Sequence, residues 1–280
     1  MTIHLVRTVA EIRESVEAAR QDGKTTCVVP TMGGLHAGHL SLVEKASQVA
    51  DYVVVTLFVN PTQFNNPDDF ENYPGSETAD LETLAKTPTD IVFAPSAAEM
   101  YPRGFSTSVT VDAANGILCD AHRPGHFDGV ATVVTKLFLQ TGTDFACFGE
   151  KDFQQLFIIR RLALDLNIPI EIVPVETVRE KDGLALSSRN ARLNSAERKI
   201  AAQLNKAMTR AAQSIRKGIA ASEACKREID QFHETGDFRV EYFEARSEES
   251  LEIVETTKNP ARLFAAAWLG DVRLIDNIPL

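Results

Sequence analysis

Apolar residues along the chain fall into short runs separated by longer stretches with a helical period. "TTCVV" (25–29), "YVVVTLFV" from Tyr52, "DIVFAP" (90–95), "DFACFG" (144–149) and "IEIVPVETV" (170–178) have strand length and are rich in β-branched residues. None alternates strictly between apolar and polar positions. Such runs suit strands covered on both faces, and the stretches between them, such as 38–50 and "DFQQLFIIRRLALDLN", have the spacing of crossover helices. The pattern predicts an α/β fold with a doubly wound, mostly parallel, Rossmann-like sheet. In such sheets ligands sit beyond the carboxyl ends of the strands, which points to the loops after Val29, Val59, Phe148 and Val178.

The texture changes after "REKDGLALSSRN". Asn194 with Glu197 three residues on is a capping-box signature, opening a helix to about Lys217. A second helix covers "SEACKREIDQFHE", and "FRVEYFEARS", "LEIVE" and "RLFAAAWLGDVRLID" read as strands. Helices followed by strands without crossovers predict a smaller α+β domain. The expected division is a Rossmann-like domain over 1–180 and a C-terminal α+β domain over 181–280, with the boundary between Glu176 and Leu193.

Composition narrows the class. The 280 residues are 44% hydrophobic and 24% charged, which is ordinary for a globular protein. A net charge of -10 argues against a broad electrostatic grip on nucleic acid or on an anionic membrane, so any phosphate site is local. The opening "MTIHLVRTVAEIRESVEAARQ" reads as a strand and a helix, not as a signal or transit peptide, and no apolar run approaches the ~18 residues of a membrane span. Cys27, Cys119, Cys147 and Cys225 form no CxxC pair, which suggests neither a zinc site nor a disulfide framework. A cytoplasmic protein with no nucleic-acid or membrane partner is expected.

Against this background "PTMGGLHAGHLSLVEKA" (30–46) stands out. His36 and His39 are three apart at a predicted helix start, a spacing that places both imidazoles on one helix face. The first turn of a helix offers unpaired N–H groups and the positive dipole end, and Gly33, Gly34 and Gly38 let a phosphate approach the backbone. This HxGH element resembles the signature of the nucleotidyltransferase superfamily. Two other strand ends carry candidate chemistry. "FGEKDFQQL" places Lys151 as a mobile point charge, with Asp152, Gln154 and Gln155 at the same mouth. "DGLALSSRN" offers Ser187, Ser188 and Arg189 beside the domain boundary, where they could close over a triphosphate. The long polar loop "FVNPTQFNNPDDFENYP" adds Asn60, Gln63 and Tyr73, and loops of that length are often binding loops or lids.

Taken in order, "PTMG", "LHAGH", "FVNPTQF", "RPGHFDGVATVV", "CFGEKDFQQL" and "KDGLALSSRN" closely resemble the pantoate-beta-alanine ligase family through most of the first 195 residues, with weaker signal beyond. The resemblance implies ATP-dependent activation of pantoate as pantoyl adenylate, then displacement of AMP by the amine of β-alanine. It implies His39 as proton donor with His36 as its partner, and a nucleotide turn formed by Pro30, Met32, Gly33, Gly34, Leu35, His36, Ala37, Gly38 and His39. Gly149, Glu150, Lys151, Asp152, Val178, Leu186, Ser187, Ser188 and Arg189 would complete the ATP site, with Lys151 and Arg189 as its cations. Gln63 and Gln155 would hold pantoate, Gln63 also lying near β-alanine, with Asn60 and Tyr73 as further substrate-facing candidates. Mg²⁺ is implied as counterion of the triphosphate; the sequence has no two-carboxylate cluster, so no protein metal ligand is expected. The family also implies a homodimer.

The sequence departs from the family pattern at Gly34, where a larger residue is usual and a looser turn is expected, and at Gly75 and Ser76, where an arginine usually follows Tyr-Pro. Arg123 and His126 match the pattern, but no role follows from sequence. Two other classes stay open: a nucleotidyltransferase with a phosphate acceptor, which would want a more basic loop after Asn60, and a catalytically silent nucleotide-binding module.

Overall fold

A computed structural model of the chain describes residues 3–65, 70, 73 and 75–280. The chain divides into two compact units, 1–149 with 154–176, and 150–153 with 177–280.

The first unit holds a sheet of β1 (His4–Val6), β2 (Thr26–Thr31), β3 (Tyr52–Leu57), β4 (Ile91–Phe93), β5 (Phe145–Gly149) and β6 (Glu171–Val175). Its order is β1-β4-β3-β2-β5-β6 and every pairing is parallel, as the unbroken apolar runs required. Helices α1 (Val9–Gln21), α2 (Ala37–Val49), α3 (Glu77–Leu84), α4 (Ala97–Met100), α5 (Leu118–His122), α6 (His126–Thr141) and α7 (Phe153–Asp165) connect the strands. Alternate residues of each strand face opposite layers. Cys27, Val29, Val53, Val55, Val92 and Cys147 pack with Leu42, Val43 and Ala46 of α2 in one core. After β2 the chain builds β3 and β4 on one side, then crosses to build β5 and β6 on the other. The crevice between β2 and β5 is therefore the topological switch point, and the turn after β2 is placed there.

The second unit comprises α8 (Ser195–Ala201), α9 (Gln203–Arg216) and α10 (Ala221–Thr235) on an antiparallel sheet of β7 (Arg239–Ser247), β8 (Ala261–Leu269) and β9 (Val272–Pro279), in that order. Asn194 caps α8 in the predicted box, its Oδ1 accepting from the N–H groups of Ala196 and Glu197. The expected single helix to Lys217 is interrupted at Ala202, which ends α8 and precedes α9. Ala265 and Ala267 of β8 are fully buried, and their small side chains let Leu204, Ala207, Met208 and Ala211 of α9 join one core with the sheet. "RLFAAAWLGDVRLID" is a β8–β9 hairpin closed over Gly270 and Asp271. "LEIVE" is not a strand: only Ile253 makes an isolated bridge, to Arg246, and Leu251 takes a left-handed φ of 57° that breaks the extended run.

The break between the units lies between Glu176 and Thr177, at the start of the expected 176–193 stretch, and 150–153 groups with the second unit. The cause is polar bonding that no local pattern signals: the carbonyls of Glu150 and Lys151 both accept from Asn277, and the Glu150 carboxylate pairs with Arg262.

Candidate active site

The end of β2 fixes where the imidazoles begin. Thr31 donates its hydroxyl to the Thr56 carbonyl of β3 and accepts from the Gly33 N–H, so the strand end and the turn are tied together. His36 and His39 do meet, with ring centroids 4.1 Å apart, but not as neighbours on a helix face. His36 has extended backbone (φ -135°, ψ 175°) and is the N-cap of α2, with His39 at the third helical position. The two form a capping box of imidazoles: His36 Nδ1 accepts from the Gly38 N–H at 3.1 Å, and His39 Nδ1 accepts from the His36 N–H at 3.3 Å. A ring nitrogen that accepts carries no proton, so each neutral ring holds its hydrogen on Nε2.

The expected cradle of free amides is filled from within. The buried carboxylate of Asp80, on α3, accepts from the N–H groups of Gly34 and Leu35, each at 2.9 Å. With the Gly38 and His36 amides also bonded to imidazoles, four backbone donors of this turn are committed within the protein. Gly33 is required here: its φ is +82°, and a Cβ would stand 2.7 Å from Asp80 Oδ2. Gly34 has φ +63°, where an L side chain is strained, so glycine suits this turn and does not loosen it. Gly75 lies against the same turn, since its Cβ would meet the Gly34 nitrogen at 3.1 Å. The two departures from the family pattern are thus neighbours. Asp80 was missed because an acid in the first turn of a helix reads as an ordinary dipole partner.

Gln63 sits in a 3₁₀ turn, Pro61–Gln63, after β3. Its Oε1 accepts from Asn60 Nδ2 at 3.1 Å, which orients the amide, and its Nε2 donates to Met32 Sδ at 3.0 Å. Asn60 is only 1% exposed. Its Nδ2 also donates to the Gly129 carbonyl, and its Oδ1 accepts from Thr62 and from the Tyr101 hydroxyl. Burial pushes the Tyr101 phenol above its ordinary value, which keeps it a donor. Every polar atom of the Asn60 side chain is thus committed inside the protein, so the residue expected to face substrate instead orients Gln63.

His126 holds the same turn by its backbone. A carbonyl can only accept, so His126 Nδ1–H donates to the Gln63 carbonyl (2.8 Å), and Nε2 accepts from Arg123 at 3.1 Å. These two residues, without a role in the sequence, position Gln63. Helix α6 can come this close because Gly129 has no Cβ; one there would lie 2.5 Å from the Thr62 carbonyl oxygen. Tyr73 packs edge-on against Phe64, next to Gln63, at 5.8 Å. Of the same loop, residues 66–69, 71, 72 and 74 lie outside the described part.

At the start of α7 two adjacent glutamines separate. Gln155 is half-buried. Gln154, expected at the mouth, is 5% exposed; its Oε1 accepts from the Cys119 N–H and its Nε2 donates to the Ile117 carbonyl. Gly149 ends β5 beside α2, where a Cβ would contact Leu42 at 3.9 Å.

The second unit gathers Lys151, Ser187 and Arg189 around a small pocket, lined also by Asn190, Asn205 and Asp276. Lys151 Nζ is 3.5 Å from the Asp152 carboxylate. Ser187 Oγ accepts from the Arg189 N–H and starts the 3₁₀ turn Ser188–Arg192. The Val178 carbonyl accepts from the Leu186 N–H across a short hairpin, braced where Arg198 meets the carboxylates of Glu180 and Asp182. That contact with Arg198 holds the Asp182 carboxyl below its usual range.

A family model described as pantoate-beta-alanine ligase matches residues 4–279, so the likeness continues through the C-terminal part where the sequence signal was weak. The pantothenate synthetase of Chelativorans sp. (strain BNC1) is 52% identical over 280 residues, covering 100% of this chain and 99% of that protein. That of Roseobacter denitrificans is 50% identical over 278 residues, covering 99% and 98%. A crystal structure of pantothenate synthetase from Thermus thermophilus superposes with a TM-score of 0.92 at 41% identity, covering 99% of both chains. A Francisella tularensis pantoate-beta-alanine ligase, complexed with β,γ ATP and β-alanine, gives a TM-score of 0.80 at 33% identity, covering 99% of this chain and 97% of that one.

Proposed function

The chain belongs to the pantoate-beta-alanine ligase family, enzymes that condense pantoate with β-alanine at the expense of ATP, and we propose that it does so through pantoyl adenylate, with phosphorus chemistry at the His36–His39 turn. In the first step a pantoate carboxylate oxygen attacks the α-phosphorus of ATP, and the bond to the bridging oxygen breaks, its electron pair leaving with pyrophosphate. In the second the amine of β-alanine attacks the acyl carbon. The C–O bond breaks, AMP leaves with that oxygen, and the nitrogen gives up a proton as the amide of pantothenate forms. Both steps bring anions together, so the site supplies donors and alignment, not a covalent nucleophile.

The observation that carries this reading is the imidazole capping box. With both Nδ1 atoms tied to backbone, His36 and His39 act through Nε2–H, donating to phosphate oxygens as charge builds; His39 is the proton donor and His36 its partner. Gln63, its oxygen held by Asn60, offers Nε2–H. The present acceptor of that group, a thioether sulfur, is weak, and a pantoate oxygen outcompetes it. Gln155 holds pantoate with it. Lys151 and Arg189 are the cations for the triphosphate, with Ser187 and Ser188 as hydroxyl donors. Mg²⁺ would neutralise phosphate charge. Among the described residues no three His, Cys, Asp or Glu side chains gather to hold a metal, and the ion would be carried by ATP oxygens and water.

We further propose a homodimer, to be read as twice the chain mass by light scattering, and a reducing cytoplasm, which suits four cysteines that are all buried with no disulfide among them. Among the described residues no helix is long and apolar enough to cross a membrane. The activity is tested by following AMP and pyrophosphate with ATP, pantoate and β-alanine. AMP release that requires both acids supports the ligase. Indifference to β-alanine would indicate a nucleotidyltransferase, and no release at all a silent module.

A further inference from the structure

Near the chain's end, β9 carries two consecutive buried polar residues, Asp276 and Asn277, 6% and 3% exposed. A strand facing a hydrophobic core gains nothing from two such groups unless each is fully bonded, and each is. Asn277 donates both amide hydrogens to main-chain carbonyls of the loop after β5: to Glu150 at 2.8 Å and to Lys151 at 2.9 Å. Its oxygen accepts from Arg262 Nη1 at 2.6 Å. Arg262 is itself buried, pairs with the carboxylate of Glu150 and with Glu248, and lies over the Phe153 ring at 4.3 Å. Glu150 is thus held at both carbonyl and carboxylate, and Lys151 is held at the carbonyl of the residue from which its side chain departs.

Asp276 keeps Asn277 in place. Its Oδ1 accepts from the Asn277 N–H at 2.8 Å, and its two oxygens take a bidentate grip on Arg179 at 2.6 and 2.8 Å, with Asn205 as a further donor. Arg179 follows Val178 and also donates to the Asn277 carbonyl. One strand end therefore braces the Lys151 loop and the hairpin that runs on to Arg189.

We propose that Asn277 is a positioning residue for Lys151: it fixes the backbone from which the lysine reaches the phosphates of ATP, and acts on the nucleotide only through that lysine. This rests on the reading of Lys151 as a triphosphate cation. The sequence offers no hint of it, since the partners are 126 and 127 positions apart.

The test is a double-mutant cycle read by calorimetric binding of a non-hydrolysable ATP analogue, with pantoate binding and thermal melting as controls. Lys151→Ala is expected to weaken the analogue by about tenfold or more, the order of one charge-assisted contact. Asn277→Ala is expected to give a similar loss with pantoate binding unchanged. In the Lys151→Ala background it should cost nothing further. If Asn277→Ala does not fold, Asn277→Asp keeps the volume and the Arg262 contact while removing both donors, and the same non-additive loss is expected. Full, additive losses in the two backgrounds, or unchanged nucleotide binding in Asn277→Ala, would overturn the proposal alone. Undiminished binding in Lys151→Ala would overturn the reading of that lysine, and this proposal with it.

Discussion

The His36–His39 turn and the Pro61–Gln63 turn meet where Gln63 donates to Met32, yet they are ordered in opposite ways. The imidazoles are held by nearby backbone: their N–H partners are two and three residues away, and the box spans four residues. Gln63 is held from a distance, by His126 63 positions along and, through Asn60, by the Gly129 carbonyl 69 positions from that asparagine. The imidazole bonds are made within the turn itself, although its leading amides, Gly34 and Leu35, rest on Asp80 from another helix. A turn hung from a distant helix can be spoiled by a substitution that touches no substrate.

That contrast sets the expected size and kind of each defect. The largest comes from the local turn: His39→Ala should lower kcat by ~10²-fold or more with the fold intact, since a preorganised donor to developing charge commonly contributes that much. Full turnover in this variant, measured as AMP release, would remove His39 from the chemistry. The distant support comes next. His126→Ala should raise the KM for pantoate by about tenfold, through misplacement of Gln63, and leave the KM for ATP nearly unchanged. His126→Asn, whose amide can still donate to the Gln63 carbonyl, should restore most of the loss. Equal behaviour of the two variants would show that this bond does not position Gln63.

The adjacent glutamines give the smallest and sharpest test. Gln155→Ala should weaken pantoate saturation several-fold with an unchanged Tm. Gln154→Ala strands the buried Cys119 N–H and Ile117 carbonyl, which costs about 1–3 kcal/mol and several degrees in Tm, with pantoate KM unchanged. A reversal of the two phenotypes would exchange the roles assigned to this pair.

What could be read in advance follows the same division. The parallel sheet, the C-terminal helices and strands and the capping box at Asn194 rest on periods or bonds within a few residues, and the structure forms them. What the sequence concealed is long-range polar bonding. Asp80 fills the amide cradle from 45 positions beyond Leu35, and Asn277 recruits 150–153 into the second unit. Asn60 and Gln154 look in sequence like any polar loop or helix-start residue; only burial reveals that their hydrogen bonds are made internally. "LEIVE" failed for a backbone reason, a left-handed Leu251 that no side-chain pattern announces.

The acyl adenylate is the intermediate on which the proposed chemistry turns. Pantoate labelled with ¹⁸O in its carboxylate should be turned over with ATP and β-alanine, and the AMP analysed by mass spectrometry. Attack by that carboxylate on the α-phosphorus, followed by cleavage of the acyl C–O bond, predicts one ¹⁸O in each AMP and none in pyrophosphate. Unlabelled AMP, or label in the pyrophosphate, would contradict it.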